Sequence, residues 1–171
     1  RDISDCDIHN IGVCFENNVL INKLTVDEHF NFFGACCGLS QQVLESSKSY
    51  LYDIMELHEI RNTQSIDLSG GQKRKLCLAL AFLGNPQIVL LDNPTAGVDI
   101  QARQKIFKMI TQFPNTTMLL TNHVLEEAEV ISSRLVIMAD GKIAYSGSAT
   151  ELRQKYKCGY VLTVERDDGP L

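Results

Sequence analysis

The segment that most constrains the fold is a short apolar run that ends in a carboxylate. Ile88-Val89-Leu90-Leu91-Asp92 lies between Pro86 and Pro94 and has no polar residue before the aspartate. Such a run predicts a strand buried on both faces of a parallel sheet. Ligands of α/β sheets gather at the carboxyl ends of strands, so Asp92 is a candidate Mg²⁺ ligand beside a nucleotide phosphate. An aspartate that begins the turn before Pro94 explains the residue equally well.

Strand-like and helix-like segments alternate along the rest of the chain, which predicts an α/β fold with a mainly parallel core sheet. The hairpin signal Asp140-Gly141 joins two of the strands. Further strands are predicted at 11–14, 117–121, 135–139, 142–146 and 160–165. Helices are predicted from the capping box at Thr25 to about Cys37, from Ser40, from Ser69 to about Gly84, and over 100–113, 125–131 and 150–157, with a polar loop at 61–67.

Composition excludes several classes of protein. The chain is 44% apolar and 22% charged, which is typical of a soluble globular domain, and no apolar run approaches the roughly 20 residues of a membrane span. A net charge of −5 argues against a general nucleic-acid binder. Lys73-Arg74-Lys75 is therefore interpreted as a solvated helix face. Six cysteines lack metal-ligand or disulfide spacing, which predicts reduced, buried thiols in a cytosolic protein. His9, His29 and His58 are interpreted as structural or surface residues.

A second candidate site precedes a predicted helix. Ser69-Gly70-Gly71-Gln72 combines a capping serine with two glycines at the helix start. Glycines leave backbone N–H groups approachable, the helix dipole adds positive potential, and the serine adds a hydroxyl. Together these features suit a phosphate. Taken alone, an ordinary serine cap followed by a glycine turn is the simpler explanation.

The whole set of motifs resembles the ATP-binding domain of ABC ATPases. Leu68 to Leu76 resembles the signature motif, Ile88 to Asp92 the Walker B strand, and Ala96 to Asp99 the D-loop. Thr121-Asn122-His123 is similar to the switch-histidine position, and Ile11 to Leu20 to the region around the Q-loop. Segments such as Gly12-Val13-Cys14 and Pro94 to Asp99 are similar to the A subfamily of lipid exporters. The resemblance implies a P-loop NTPase-like fold.

That resemblance also implies ligands, partners and a location. ATP and Mg²⁺ are the implied cofactors, with Asp92 on the metal and Ser69, Gly70, Gly71 and Gln72 on the ATP of a second, head-to-tail nucleotide-binding domain. Asp99 and His123 are the remaining implied site residues. Transmembrane domains of the same transporter are the other implied partners, which places the domain on the cytoplasmic face of a membrane as part of an integral membrane protein. No nucleic-acid partner is implied.

Three departures from the family pattern qualify this interpretation. No G-x-x-x-x-G-K-[S/T] occurs, which predicts a partial domain whose N-terminal part, including Walker A, is missing. Asn93 stands where the family usually has the glutamate that polarises water, and loss of a general base costs about 10²–10⁴ in rate. Glu16 stands at the glutamine of the Q-loop. The domain's own site is therefore expected to bind ATP and turn it over slowly, while the donated signature motif stays complete.

The domain is expected to have two parts, and two alternative functions remain open. Residues from about 21 to 84 are expected to form the helical signature subdomain, and residues from about 85 to 171 the rest of the catalytic core. The isolated chain is expected to be inactive as an ATPase. The first alternative is a catalytically degenerate regulatory module that binds a partner domain. The second is a soluble ABC protein that does not transport.

Overall fold

The computed structural model describes residues 10–156, which fall into two compact units, one ending at His123 and the other beginning at Val124. The predicted strand at 160–165 lies outside the described residues. The first unit contains β1 (Ile11–Cys14), α1 (Val26–Cys36), α2 (Gln41–Met55), 3-10 turns at His58–Ile60 and Ser65–Asp67, α3 (Gly70–Ala81), β2 (Ile88–Asp92), α4 (Ile100–Ile110) and β3 (Thr117–Thr121). The second contains α5 (Leu125–Ile131), β4 (Leu135–Ala139), β5 (Lys142–Gly147) and α6 (Ala149–Tyr156).

A parallel three-stranded sheet organises the first unit, as the α/β prediction requires. The strand order is β1-β2-β3, and both pairings are parallel. Cys14, Val89 and Leu91 point to one face and are buried in the core, where Leu120 also packs. Helix α3 contacts β1 on this core side. The sheet therefore holds the three strand ends in one row.

The other face of this sheet is apolar and open. Val13, Leu90 and Leu119 are register partners in one row across the strands, and they are 42%, 37% and 68% exposed. The prediction that β2 is buried on both faces is wrong for this structure. Side chains of a strand alternate between faces, and in the described residues only the Val89 and Leu91 side of β2 is deeply buried.

Gly12 permits the closest approach between the sheet and a helix. A Cβ built on Gly12 would lie 1.7 Å from the carbonyl oxygen of Ala81, the last residue of α3. Backbone cannot yield as a flexible side chain does, so only glycine fits this position of β1. The contact fixes how α3 lies on the strand.

Capping boxes start two of the helices, as predicted. Thr25 accepts from the Glu28 N–H at 3.2 Å, and the Glu28 carboxylate accepts from the Thr25 N–H at 2.7 Å. The first turn also orders His29, which is fully buried: its Nδ1 lies 2.7 Å from the Thr25 carbonyl, and its Nε2 accepts from the Ile21 N–H at 3.0 Å. His29 is thus a structural residue, as expected.

A buried ion cluster ties α1 to α2. Lys48 is 3% exposed, and its ammonium lies 3.0 Å from Asp27 and donates to Asn31 at 2.9 Å. Arg61 reaches the same aspartate at 2.8 Å. Burial raises the pKa of Asp27, but the hydrogen bond and charge of Lys48 outweigh it, with help from Tyr52 and Arg61, so the pKa is lowered.

The second unit is built on a β-hairpin at the predicted turn. β4 and β5 pair antiparallel, and Asp140 and Gly141 have φ of 49° and 73°, as a type I′ turn requires. A register shift between Ile137 and Met138 marks a bulge. Leu135, Tyr145 and Leu152 form a small core under the hairpin.

Two smaller predictions need correction. Helix α4 ends at Ile110 rather than at 113. Beyond Ile110 the N–H groups of Gln112 and Phe113 donate to the carbonyls three residues earlier, as in a 3-10 turn, instead of four residues earlier. The four cysteines in the described residues are all free thiols, as expected, and Cys14 and Cys77 are buried. Cys36, however, is exposed, because it lies on the outer face of α1.

The open sheet face predicts self-association. Leu119→Lys places a charge in the exposed row and should reduce aggregation of the expressed chain while costing about 0.5 kcal/mol or less in stability. The matched variant Leu120→Lys places the same charge one residue along the strand, on the core side, and should unfold the chain. Light scattering after size exclusion measures both. Equal aggregation of the wild type and Leu119→Lys would contradict the prediction.

Candidate functional site

Polar residues gather where the three parallel strands end. Glu16 lies two residues past β1, Asp92 is the last residue of β2, and Thr121 is the last residue of β3, directly opposite Asp92. His123 follows β3 by two residues and is exposed. Carboxyl ends of parallel strands share one edge of the sheet. The chain therefore presents there the carboxylates of Glu16 and Asp92, the amide of Asn93 and the imidazole of His123.

Thr121 orders the end of β2. Its hydroxyl donates to Asp92 Oδ1 at 2.6 Å and accepts from the backbone N–H of Asn93 at 3.0 Å. One hydroxyl thus fixes the carboxylate and the start of the loop after it. The sequence analysis names Thr121 only as part of the motif around His123 and gives it no role of its own. The available signal for such a role was the position of Thr121 at the end of the next predicted strand after β2.

Asn93 contacts Glu16, another of the predicted site residues. Its side-chain amide donates to Glu16 Oε1 at 3.0 Å, so the loops after β1 and β2 touch. Its backbone is left-handed, with φ of 46°. Asparagine tolerates this region better than most residues because its short polar side chain hydrogen-bonds locally. An asparagine at this position therefore has a backbone reason as well as a chemical one.

Arg74 holds both loops in place. Arg74 is 1% exposed, and its guanidinium donates five hydrogen bonds of 2.5 to 2.9 Å, all to backbone carbonyls. The acceptors are Phe15 and Glu16 after β1, Asp92 at the end of β2, and Asn93 and Pro94 after it.

The interpretation of Lys73-Arg74-Lys75 as a solvated face is wrong for Arg74. The signal was its helical spacing to Leu78 and Ala81, which lie on the buried face of α3. Its two neighbours do lie on the surface side of α3. Lys73 donates to the Ile66 carbonyl at 3.2 Å, and Lys75 pairs with Glu56 at 3.3 Å.

Asp99 caps the next helix. Its Oδ1 accepts from the Ala102 N–H at 2.9 Å at the start of α4, and this hydrogen bond holds the pKa of the carboxyl below its usual range. Gly97, two residues earlier, has φ of 68°. The geometry shows a structural task for Asp99; a contact with nucleotide stays a prediction.

The predicted phosphate site at the start of α3 has an open backbone. Ser69 accepts from the Gln72 N–H at 3.2 Å, and the Gln72 side chain accepts from the Ser69 N–H at 2.9 Å, which completes the predicted capping box. A Cβ at Gly70 or Gly71 would have no atom within 4 Å. The fold does not need glycine at either position, so a ligand or partner can approach these N–H groups closely.

The strand-end residues fit a phosphate-bound Mg²⁺. Among residues 10–156 no cluster of three or more His, Cys, Asp or Glu side chains forms a complete metal cage. Mg²⁺ at phosphates usually takes one or two protein carboxylates and obtains its other oxygens from phosphate and water. Asp92 offers such a carboxylate, with one oxygen oriented by Thr121.

Comparisons with known proteins agree with this fold and site. The family model described as ABC transporter matches residues 4–96, just over half of the chain. The chain therefore belongs to the ABC transporter family, which confirms the resemblance drawn from its motifs. The solved structure of an ATP-binding subunit of an ABC transporter superposes with a TM-score of 0.79 at 24% identity, covering 87% of this chain and 63% of the other. That likeness confirms the predicted fold class.

Several similar curated proteins are named as members of the A subfamily of ABC transporters. The human phospholipid-transporting ATPase ABCA7 is 39% identical over 95% of this chain, and the Caenorhabditis elegans ABC transporter ced-7 is 39% identical over 92%. The Dictyostelium discoideum ABC transporter A family member 10 is 37% identical over 93%. The chain spans only 8%, 9% and 19% of these proteins' lengths. In residues 10–156 no helix has the length and apolar character of a membrane span.

Arg74 should dominate the stability of the site. Arg74→Lys keeps the charge but replaces a five-donor fork with a single ammonium, which leaves buried carbonyls unpaired. We expect a loss of about 3 kcal/mol or more in unfolding free energy. Lys73→Met, one residue earlier on the surface, should cost about 0.5 kcal/mol or less. Urea unfolding in the Leu119→Lys background measures both. Similar losses in the two variants would contradict the assignment.

Proposed function

We propose that this chain is part of the ATP-binding domain of an ABC transporter that couples ATP binding and hydrolysis to transmembrane transport. The observation that carries the proposal is the N-terminus of α3, where Ser69, Gly70 and Gly71 present a hydroxyl and open backbone donors. Residues 21–84 would form the helical part around this motif, and residues 85–171 the remainder of the catalytic core.

The start of α3 would act on the ATP of a second nucleotide-binding domain. Gly70 and Gly71 supply N–H groups that no turn of their own helix can satisfy, and the helix dipole favours negative charge there. Gln72 holds the cap by its hydrogen bonds with Ser69, which keeps the glycine backbone in one conformation. The γ-phosphate of the ATP bound by the second domain would therefore meet an ordered set of hydrogen-bond donors.

The strand ends would act on the domain's own nucleotide. Asp92 would hold the Mg²⁺ of Mg-ATP, and the metal would neutralise charge on the β- and γ-phosphates. His123 lies past β3 on the same edge, and Asp99 begins α4 after the Walker B loop. Arg74 joins the two half-sites, because it belongs to α3 and binds the loops after β1 and β2.

We propose lipid as the transported substrate. Human ABCA7 is named as a phospholipid-transporting ATPase, and it is 39% identical to this chain over 95% of the chain's residues. The proposed partners are a second nucleotide-binding domain and the transmembrane domains of the same protein. The domain would then face the cytoplasm beside a membrane.

Ser69→Arg tests the donated site in full-length protein. A bulky cation would fill the place of the partner's γ-phosphate, so we expect most ATPase activity to be lost, by about tenfold or more. Ser40→Arg is the matched control, since Ser40 caps α2 in the same way and each variant loses about 1 kcal/mol of capping. Steady-state phosphate release measures both. Equal activity of the two variants would show that α3 does not meet nucleotide.

A further inference from the structure

The contact between Glu16 and Asn93 changes the chemistry expected of the domain's own site. An asparagine after Asp92 suggests a site without a base. The structure places a carboxylate 3.0 Å from that asparagine, on the loop after the neighbouring strand. We propose that Glu16 is the catalytic base of this domain, and that Asn93 is a positioning residue that orients it. The inference rests on the proposed function, because it assumes that ATP is hydrolysed at these strand ends.

Chemistry separates the roles of the two side chains. The Asn93 amide donates through nitrogen to Glu16 Oε1 and has no basic atom to accept a proton from water. A carboxylate has two oxygens, so Glu16 can take this bond on Oε1 and still accept at Oε2. Asp92 is occupied differently, by the Thr121 hydroxyl at 2.6 Å and by its proposed metal. Of the two carboxylates at this edge, Glu16 is therefore the one with an oxygen left to accept a proton.

Arg74 holds the backbone on both sides of the Glu16–Asn93 contact. Arg74 donates to the Glu16 carbonyl at 2.9 Å and to the Asn93 carbonyl at 2.8 Å. The Asn93 N–H is held by Thr121 at 3.0 Å. Glu16 itself is exposed, so its carboxylate is accessible to water and nucleotide. A general base needs this combination of fixed position and access.

Hydrolysis of ATP at this site forms one bond to phosphorus and breaks another. A water oxygen forms a bond to the γ-phosphorus of ATP, and the bond from that phosphorus to the β–γ bridging oxygen breaks. The bridging oxygen leaves with the electron pair as part of ADP. One proton of the attacking water passes to Glu16 Oε2, and the product is inorganic phosphate. Asn93 keeps Glu16 in position and neither gains nor loses a proton.

The test uses the full-length protein and 8-azido-ATP with Mg²⁺, labelled at the α- or the γ-phosphate. After cross-linking, the proteolytic fragment that carries this domain is isolated. The α-label reports binding, and loss of the γ-label reports hydrolysis in this domain. We expect Glu16→Gln to keep the α-label and to slow loss of the γ-label by about 10²-fold or more. Asn93→Gly, which keeps the left-handed backbone, should have a smaller effect.

A matched control and a rescue complete the design. Glu59→Gln removes an exposed carboxylate from the 3-10 turn at His58–Ile60 and should behave as the wild type. Glu16→Ala should also stop hydrolysis, and added formate should restore part of it, because a small carboxylate can occupy the vacated space. A residue with only a structural role would show no such rescue.

Three results would overturn an assignment. Wild-type loss of the γ-label in Glu16→Gln, or no acceleration of Glu16→Ala by formate, would overturn Glu16 as the base. A wild-type domain that binds the α-label and keeps the γ-label would do the same. Absence of the α-label from the wild-type domain would instead overturn the proposed function. The readings of binding and hydrolysis thus separate the two failures.

Discussion

The guanidinium of Arg74 is the interaction on which the site depends. It is buried, its hydrogen-bond acceptors within residues 10–156 are five backbone carbonyls rather than carboxylates, and these carbonyl dipoles balance its charge. Such a group costs much to desolvate unless every donor is used, and here the acceptors come from two separate loops. The loops after β1 and β2 are therefore ordered together or not at all. A helix that begins at one proposed half-site thereby sets the geometry of the other.

Much of the fold was predictable because its signals are local. The capping boxes at Thr25 and Ser69 and the turn at Asp140-Gly141 are each encoded within four residues. The hydrogen bond of Arg74 to the Glu16 carbonyl and the Glu16–Asn93 contact join residues 58 and 77 positions apart, and no local pattern contains such partners. The apolar run of β2 was misleading in one respect. Five residues can specify a strand, but they do not specify what covers its second face.

Asn93 shows how backbone and chemistry constrain one position together. Its left-handed φ favours asparagine or glycine over a longer side chain, while its amide supplies the donor that meets Glu16. A glutamate at this position would carry a backbone cost and would place a second negative charge beside Glu16. The two residues therefore form a pair, in which neither identity is explained without the other.

Three glycines of the described residues are present for two different reasons that the sequence does not distinguish. Gly12 is required by the packing of α3 on β1, whereas the space around Gly70 and Gly71 is empty. A laboratory selection that rewards only folding and solubility would therefore retain the first and let the other two drift, mostly toward better helix formers. If Gly70 and Gly71 are retained under selection for activity, the selective pressure on them comes from a molecule that binds the chain and not from the fold.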